Sequence, residues 1–101
     1  MPSTISTFLI HMTTPEIHSH IGELQDLLKE IRREKDLTQT EIAVVIEQSQ
    51  SFVSKYESGE RILDLLEVRF ICRRLGLSLV EFCTRLETKI ALKKERDREG
   101  Q

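Results

Sequence analysis

The sequence predicts an all-α fold: a compact bundle of four or five short helices, two of them joined by a tight turn. Three observations carry this. Apolar residues recur at helical spacing from Ile17 to Ile90. Thr38, Ser49, Asp64 and Ser78 each stand immediately before such a stretch, where a side-chain oxygen satisfies the orphan amides of a helix start. Gly59 and Gly76 stand where two of the stretches end, as left-handed terminators do.

Residues 1–13 differ from the rest. The run Ser3-Thr4-Ile5-Ser6-Thr7-Phe8-Leu9-Ile10 is β-branched and apolar, and reads as an N-terminal tail or a dimer arm. Thr14-Pro15 reads as an N-cap followed by proline at the first helical position. A first helix over about 15–35 carries Ile17, Ile21, Leu24, Leu27, Leu28 and Ile31 and ends on a basic turn that suits the negative pole of its dipole. Thr38 and Glu41 have capping-box spacing and open a second helix over about 38–46, burying Ile42, Ala43 and Ile46. Ser49 opens a third over about 50–57. Asp64 opens a fourth with Leu65, Leu66, Val68, Phe70, Ile71 and Leu75. Ser78 and Glu81 form a second capping box before Leu79, Val80, Phe82, Cys83, Leu86 and Ile90. The domain thus spans 14–92, and 93–101 is a charged C-terminal tail expected to fray.

Composition excludes several classes. The 101 residues are 39% apolar and 32% charged, enough for one small core and too ordered for a disordered chain. No apolar run approaches a membrane span, and no basic region precedes Thr7 as in a signal peptide, so a cytoplasmic protein is expected. Cys72 and Cys83 lack the spacing of a disulfide framework or metal site and read as reduced hydrophobes. His11, His18 and His20 have no matching nucleophile and carboxylate, so neither a catalytic residue nor a cofactor is expected, and the chain is not expected to be an enzyme. A net charge of -2 argues against a general coat of nucleic acid but leaves a local reading surface open.

Such a surface lies at the third helix. Starting at Gln50, it sets Gln50, Ser51, Ser54, Lys55 and Ser58 along one side, with Val53 and Tyr56 opposite and Glu57 at the edge. Two helices set at an angle by a tight turn are the helix-turn-helix unit that reads a major groove. There, Gln pairs with adenine, Ser serves either base type, and Lys55 meets guanine or a phosphate. Phe52 has two readings, packing on a thymine methyl or covering the neighbouring helix. The amides at the start of the second helix, with Thr38 and Gln39, suit a phosphate.

From Leu27 to about Leu86 the chain resembles the lambda-repressor-like, Cro/repressor-type (XRE family) helix-turn-helix domain. The matching words are Leu37-Thr38-Gln39-x-x-Ile42-Ala43, then Ser49-Gln50-Ser51-x-Val53-Ser54-Lys55-Tyr56-Glu57-Ser58-Gly59-Glu60-Arg61, then Leu75-Gly76-Leu77-Ser78. The resemblance implies a bundle that binds double-stranded operator DNA, usually as a homodimer. It implies that Gln39 touches phosphate and braces Gln50, that Gln50, Ser51, Ser54 and Lys55 face base edges, and that Phe52 can reach the groove. Ser58 and Arg61 would approach the DNA backbone, and Arg32 would pair with Glu57, docking the third helix and itself lying near a phosphate. The family often has glycine where this chain has Glu47; a positive φ there costs about 1 kcal/mol.

The sequence therefore points to a sequence-specific transcription regulator with no membrane partner. Dimerisation through a stripe of Leu79, Phe82, Cys83, Leu86 and Ile90 competes with those residues simply closing the core. A protein partner is the alternative reading, an antitoxin or adaptor on the same fold, kept open by the acidic balance and Glu47.

Overall fold

A computed structural model describes residues 14–100, of which the side chains of Thr14, Pro15, Glu16 and Ser19 are not described. Five helices follow in order: α1 Thr14–Glu34, α2 Gln39–Val45, α3 Gln50–Ser58, α4 Leu65–Arg74 and α5 Leu79–Glu99. The fold is the expected all-α bundle. The expected arm at 1–13 and the cap at Thr14 fall outside the described residues and side chains.

Local chemistry sets nearly every boundary. Thr38, Asp64 and Ser78 each close a full capping box, with Glu41, Glu67 and Glu81 returning the hydrogen bond. Ser49 Oγ accepts from the Phe52 amide at 3.1 Å. Three helix ends share one device. The Leu37 amide bonds the Arg32 carbonyl, the Gln48 amide that of Ala43, and the Leu77 amide that of Cys72, each across a left-handed residue. Those residues are Asp36 (φ 57), Glu47 (φ 58) and Gly76 (φ 79). Gly59 (φ 92) ends α3, and a Cβ there would lie 2.5 Å from Gln25 Nε2 of α1. Glycine at 59 therefore serves both conformation and close approach.

The core takes Leu27, Leu28 and Ile31 from α1, Ile42, Ala43 and Ile46 from α2 and its cap, Val53 and Tyr56 from α3, and Val68, Ile71 and Cys72 from α4. Phe82 of α5, Leu75 at the end of α4 and Leu63 of the loop before α4 complete it. The Tyr56 hydroxyl is buried without a hydrogen-bond partner among the described residues, and this burial raises its pKa. Burial likewise pushes the Cys72 thiol up to about 11, whereas Cys83, also free, is exposed.

The charged stretch beyond residue 92 is helical to Glu99. As far as Lys93 the cause is tertiary. The two 21-residue helices α1 and α5 run side by side, joined by Arg85 to Glu34, Lys89 to Glu30 at 2.7 Å and Lys93 to Glu23 at 3.6 Å. Arg85 grips Glu34 through both terminal nitrogens, which draws the Glu34 carboxyl below the usual carboxylate range. Each successive pair moves back along α1 and forward along α5, so the helices are antiparallel.

Glu47 holds the left-handed conformation that costs a β-carbon about 1 kcal/mol. Glu47→Gly should raise unfolding free energy by about 0.5–1 kcal/mol in a urea titration, even after losing the exposed Arg74 pair. Glu47→Ala, which keeps the strain, should give no gain.

Candidate nucleic-acid interface

The interface is built from the inside outward. Arg32, in the last turn of α1, reaches Glu57 near the end of α3. Arg32 Nε donates to Glu57 Oε2 at 2.7 Å and Nη2 donates to Oε1 at 3.1 Å, while Nη1 donates to the Leu37 carbonyl at 2.7 Å. Both residues are buried, at 8% and 9% exposure. Glu57 keeps the guanidinium firmly protonated, its hydrogen bond outweighing the opposing effect of burial. A bidentate pair with its third nitrogen also satisfied is the geometry in which two buried charges are tolerated.

From Glu57 the network continues to the surface. Gln39 Nε2 donates to Glu57 Oε1 at 3.1 Å, and Gln50 Nε2 donates to Gln39 Oε1 at 2.8 Å. Four side chains from three helices thus form one chain of hydrogen bonds. It starts in the core and ends on the exposed Gln50 at the first position of α3.

Around this terminus lie the other residues singled out from the sequence. Ser51, Lys55 and Ser58 are exposed and Ser54 is half-buried, all on the arc of α3 that includes Gln50. Ser58 Oγ donates to the Lys55 carbonyl at 3.2 Å. The Lys55 ammonium has no ion pair among the described residues. Thr38 lies at the same edge; the capping box uses its amide N–H and one lone pair of its hydroxyl oxygen, not the hydroxyl hydrogen.

Three of the residues singled out are engaged within the fold. Arg32 is a brace whose nitrogens are engaged inside the fold. Phe52 takes the covering alternative: its ring meets Tyr56 edge-on with centroids 5.7 Å apart and lies under Arg61, whose Cζ is 4.8 Å from its centroid. Arg61 is held there by Glu67 at 2.6 Å, a salt bridge that sequence spacing did not suggest. Arg74 was also missed. It pairs with Glu47 at 3.1 Å, so the acidic charge in the turn has a counterion at hand.

The family model for the helix-turn-helix matches residues 28–82, more than half the chain. The chain belongs to the helix-turn-helix family. An XRE-family like protein from Pseudomonas syringae pv. tomato str. DC3000 is similar at 36% identity and a TM-score of 0.65, covering 82% of this chain and 94% of that one. The clp gene regulator ClgR from Corynebacterium glutamicum shares the fold at 21% identity and a TM-score of 0.71, covering 80% of this chain and 86% of that one. No curated protein matches. The helix-turn-helix membership bears out the lambda-repressor-like resemblance, and with it the chain is a DNA-binding transcription regulator. Among the described residues, no helix is long and apolar enough to cross a membrane.

Arg32→Ala strands the Glu57 carboxylate in the core and should cost about 3–5 kcal/mol of unfolding free energy. Gln39→Ala removes one neutral donor from the same carboxylate and should cost only about 1 kcal/mol. Chemical denaturation of the two variants checks the ranking.

Proposed function

We propose that the helix-turn-helix family member described here reads a specific operator through α3 in the major groove, as a homodimer. The observation that carries the reading is the hydrogen-bond chain from Arg32 to Gln50, which fixes a reading side chain before DNA arrives. Gln50 is placed for the bidentate contact with adenine, and Ser51 and Ser54 for either base type. Lys55, at the far edge of the same arc, supplies a phosphate contact, as do Thr38 through its hydroxyl hydrogen and Gln39 through its second amide hydrogen along the flank, and Ser58 once its hydroxyl leaves the Lys55 carbonyl. Arg61 contributes positive potential while remaining tied to Glu67.

A single reading helix touches too few base pairs for strong selectivity, so two copies on a two-fold operator are expected. The outer face of α5 supports that reading. Thr84 Oγ1 donates to the Val80 carbonyl at 2.9 Å and Thr88 Oγ1 to the Thr84 carbonyl at 3.0 Å. Both hydroxyls are spent on the backbone, so these threonines offer methyl groups beside Val80 (76% exposed) and Cys83. The result is a low, largely apolar face that a second α5 can approach closely. Of the residues first read as a dimer stripe, Phe82 belongs to the core, and Leu79 and Leu86 pack against it.

Two measurements test the reading. In selection from a random DNA pool, the wild type should enrich one motif with two-fold symmetry. Gln50→Ala should blur one or two positions in each half, while Lys55→Ala should weaken all sequences alike and reduce the salt slope by about 0.9 per protomer. No enrichment at low salt would end the proposal. In sedimentation equilibrium the wild type should approach twice the chain mass with rising concentration. Val80→Glu, which places an acid in the favourable first turn of α5, should remain folded and shift toward the monomer.

A further inference from the structure

The outward side of α4 is unlike any other surface among the described residues. The sequence reads Leu65, Leu66 and Phe70 as helical apolar positions, yet they are 63%, 73% and 43% exposed. Interleaved with them are Arg69, Arg73 and Arg74. At about 100° per residue these six positions fill half the circumference of α4 without a carboxylate among them. Arg69 and Arg73 form no ion pair among the described residues. Beside Leu66 and Phe70 opens a cavity of about 250 Å³ with an apolar floor of Ile46, Phe52 and Ile71. The two acids at its rim, Asp64 and Glu67, are committed to the α4 capping box, and Glu67 also to Arg61.

We propose that this face of α4 docks an acidic amphipathic helix of a second protein. The partner's apolar anchor would fill the cavity beside Phe70, and its carboxylates would pair with Arg69 and Arg73. The argument is complementarity. Large exposed apolar side chains rimmed by unpaired charge mark interaction surfaces, and a cavity of this size takes one large side chain. Because apolar and basic residues alternate around the helix, the complementary surface must alternate apolar and acidic groups, as one face of an acidic helix does. A duplex offers phosphates but nothing for Leu65, Leu66 and Phe70. An anionic membrane favours apolar and basic residues on separate sides of a helix rather than alternating. The inference goes beyond operator reading and stands on a different helix.

The test uses the full chain, isotopically labelled for NMR, and two synthetic helices. Both carry Leu and Phe at i, i+3, i+4 and i+7; one has Glu and the other Lys at the remaining positions. The acidic helix should shift the amides of α4 and the cavity, weaken with added salt, and bind at least about tenfold tighter than the lysine helix. Arg69→Glu with Arg73→Glu, both exposed, should reduce acidic-helix binding about tenfold and leave the unfolding midpoint in place. Leu66→Ser should weaken it likewise. Equal binding of both helices, shifts confined to the outer face of α5, or anionic phosphatidylserine vesicles displacing the acidic helix would each overturn the proposal. So would absence of binding by the acidic helix in a sample that still binds operator, a result that leaves the DNA-reading proposal intact.

Discussion

The buried pair between Arg32 and Glu57 is the constraint on which the arrangement depends. Two charges taken out of water are costly unless the geometry is close to ideal and the remaining donors are satisfied. Here all three guanidinium nitrogens are used, two on Glu57 and one on the carbonyl of Leu37, in the α1–α2 connection. The pair therefore does more than join α1 to α3. It anchors the segment before α2 at the Leu37 carbonyl, and through Gln39 it ties α2 to the same carboxylate. Hydrophobic contacts among Leu27, Ile42, Val53 and Tyr56 bring the helices together, but such contacts are non-directional. Register and rotation of α3 come from the polar pair, and Gln50 inherits its position from them.

The turn between α2 and α3 shows what local chemistry can and cannot dictate. Its hydrogen bonds, from Glu47 to Val44 and from Gln48 to Ala43, require a left-handed residue at 47, and this chain supplies glutamate. Tertiary order overrides the preference of a single residue, with Arg74 of α4 holding the exposed carboxylate. Asp36 does the same at the end of α1. Gly59 takes a left-handed φ of 92, and a β-carbon there would also make the Gln25 side-chain amide shift.

Much of this was legible in the sequence because it is local. The capping boxes at Thr38 and Ser78, the caps at Ser49 and Asp64, and the glycine ends at 59 and 76 are short patterns with one physical solution. The Arg32–Glu57 pair and the Gln39–Gln50 brace were legible only through resemblance, since nothing in a separation of 25 residues announces a contact. Phe52 could not be assigned from spacing, because it falls at the border of the apolar arc, and the contacts with Tyr56 and Arg61 decide its side. The helical end of α5 was missed because its charges look solvated in isolation; Glu23, the partner of Lys93, lies far away in sequence. The exposed face of α4 was missed for the opposite reason. Periodicity marks Leu65, Leu66 and Phe70 as apolar but does not say that only Val68, Ile71 and Cys72 reach the core.

The central claim is that Gln50 is held in place before it meets DNA. Side-chain amide relaxation of the free protein measures this directly. The Gln50 NH2 group should be nearly as ordered as the α3 backbone in the wild type, and should gain large nanosecond freedom in Gln39→Ala while the backbone of α3 stays rigid. A Gln50 amide that is already as mobile in the wild type as in the variant would contradict the account.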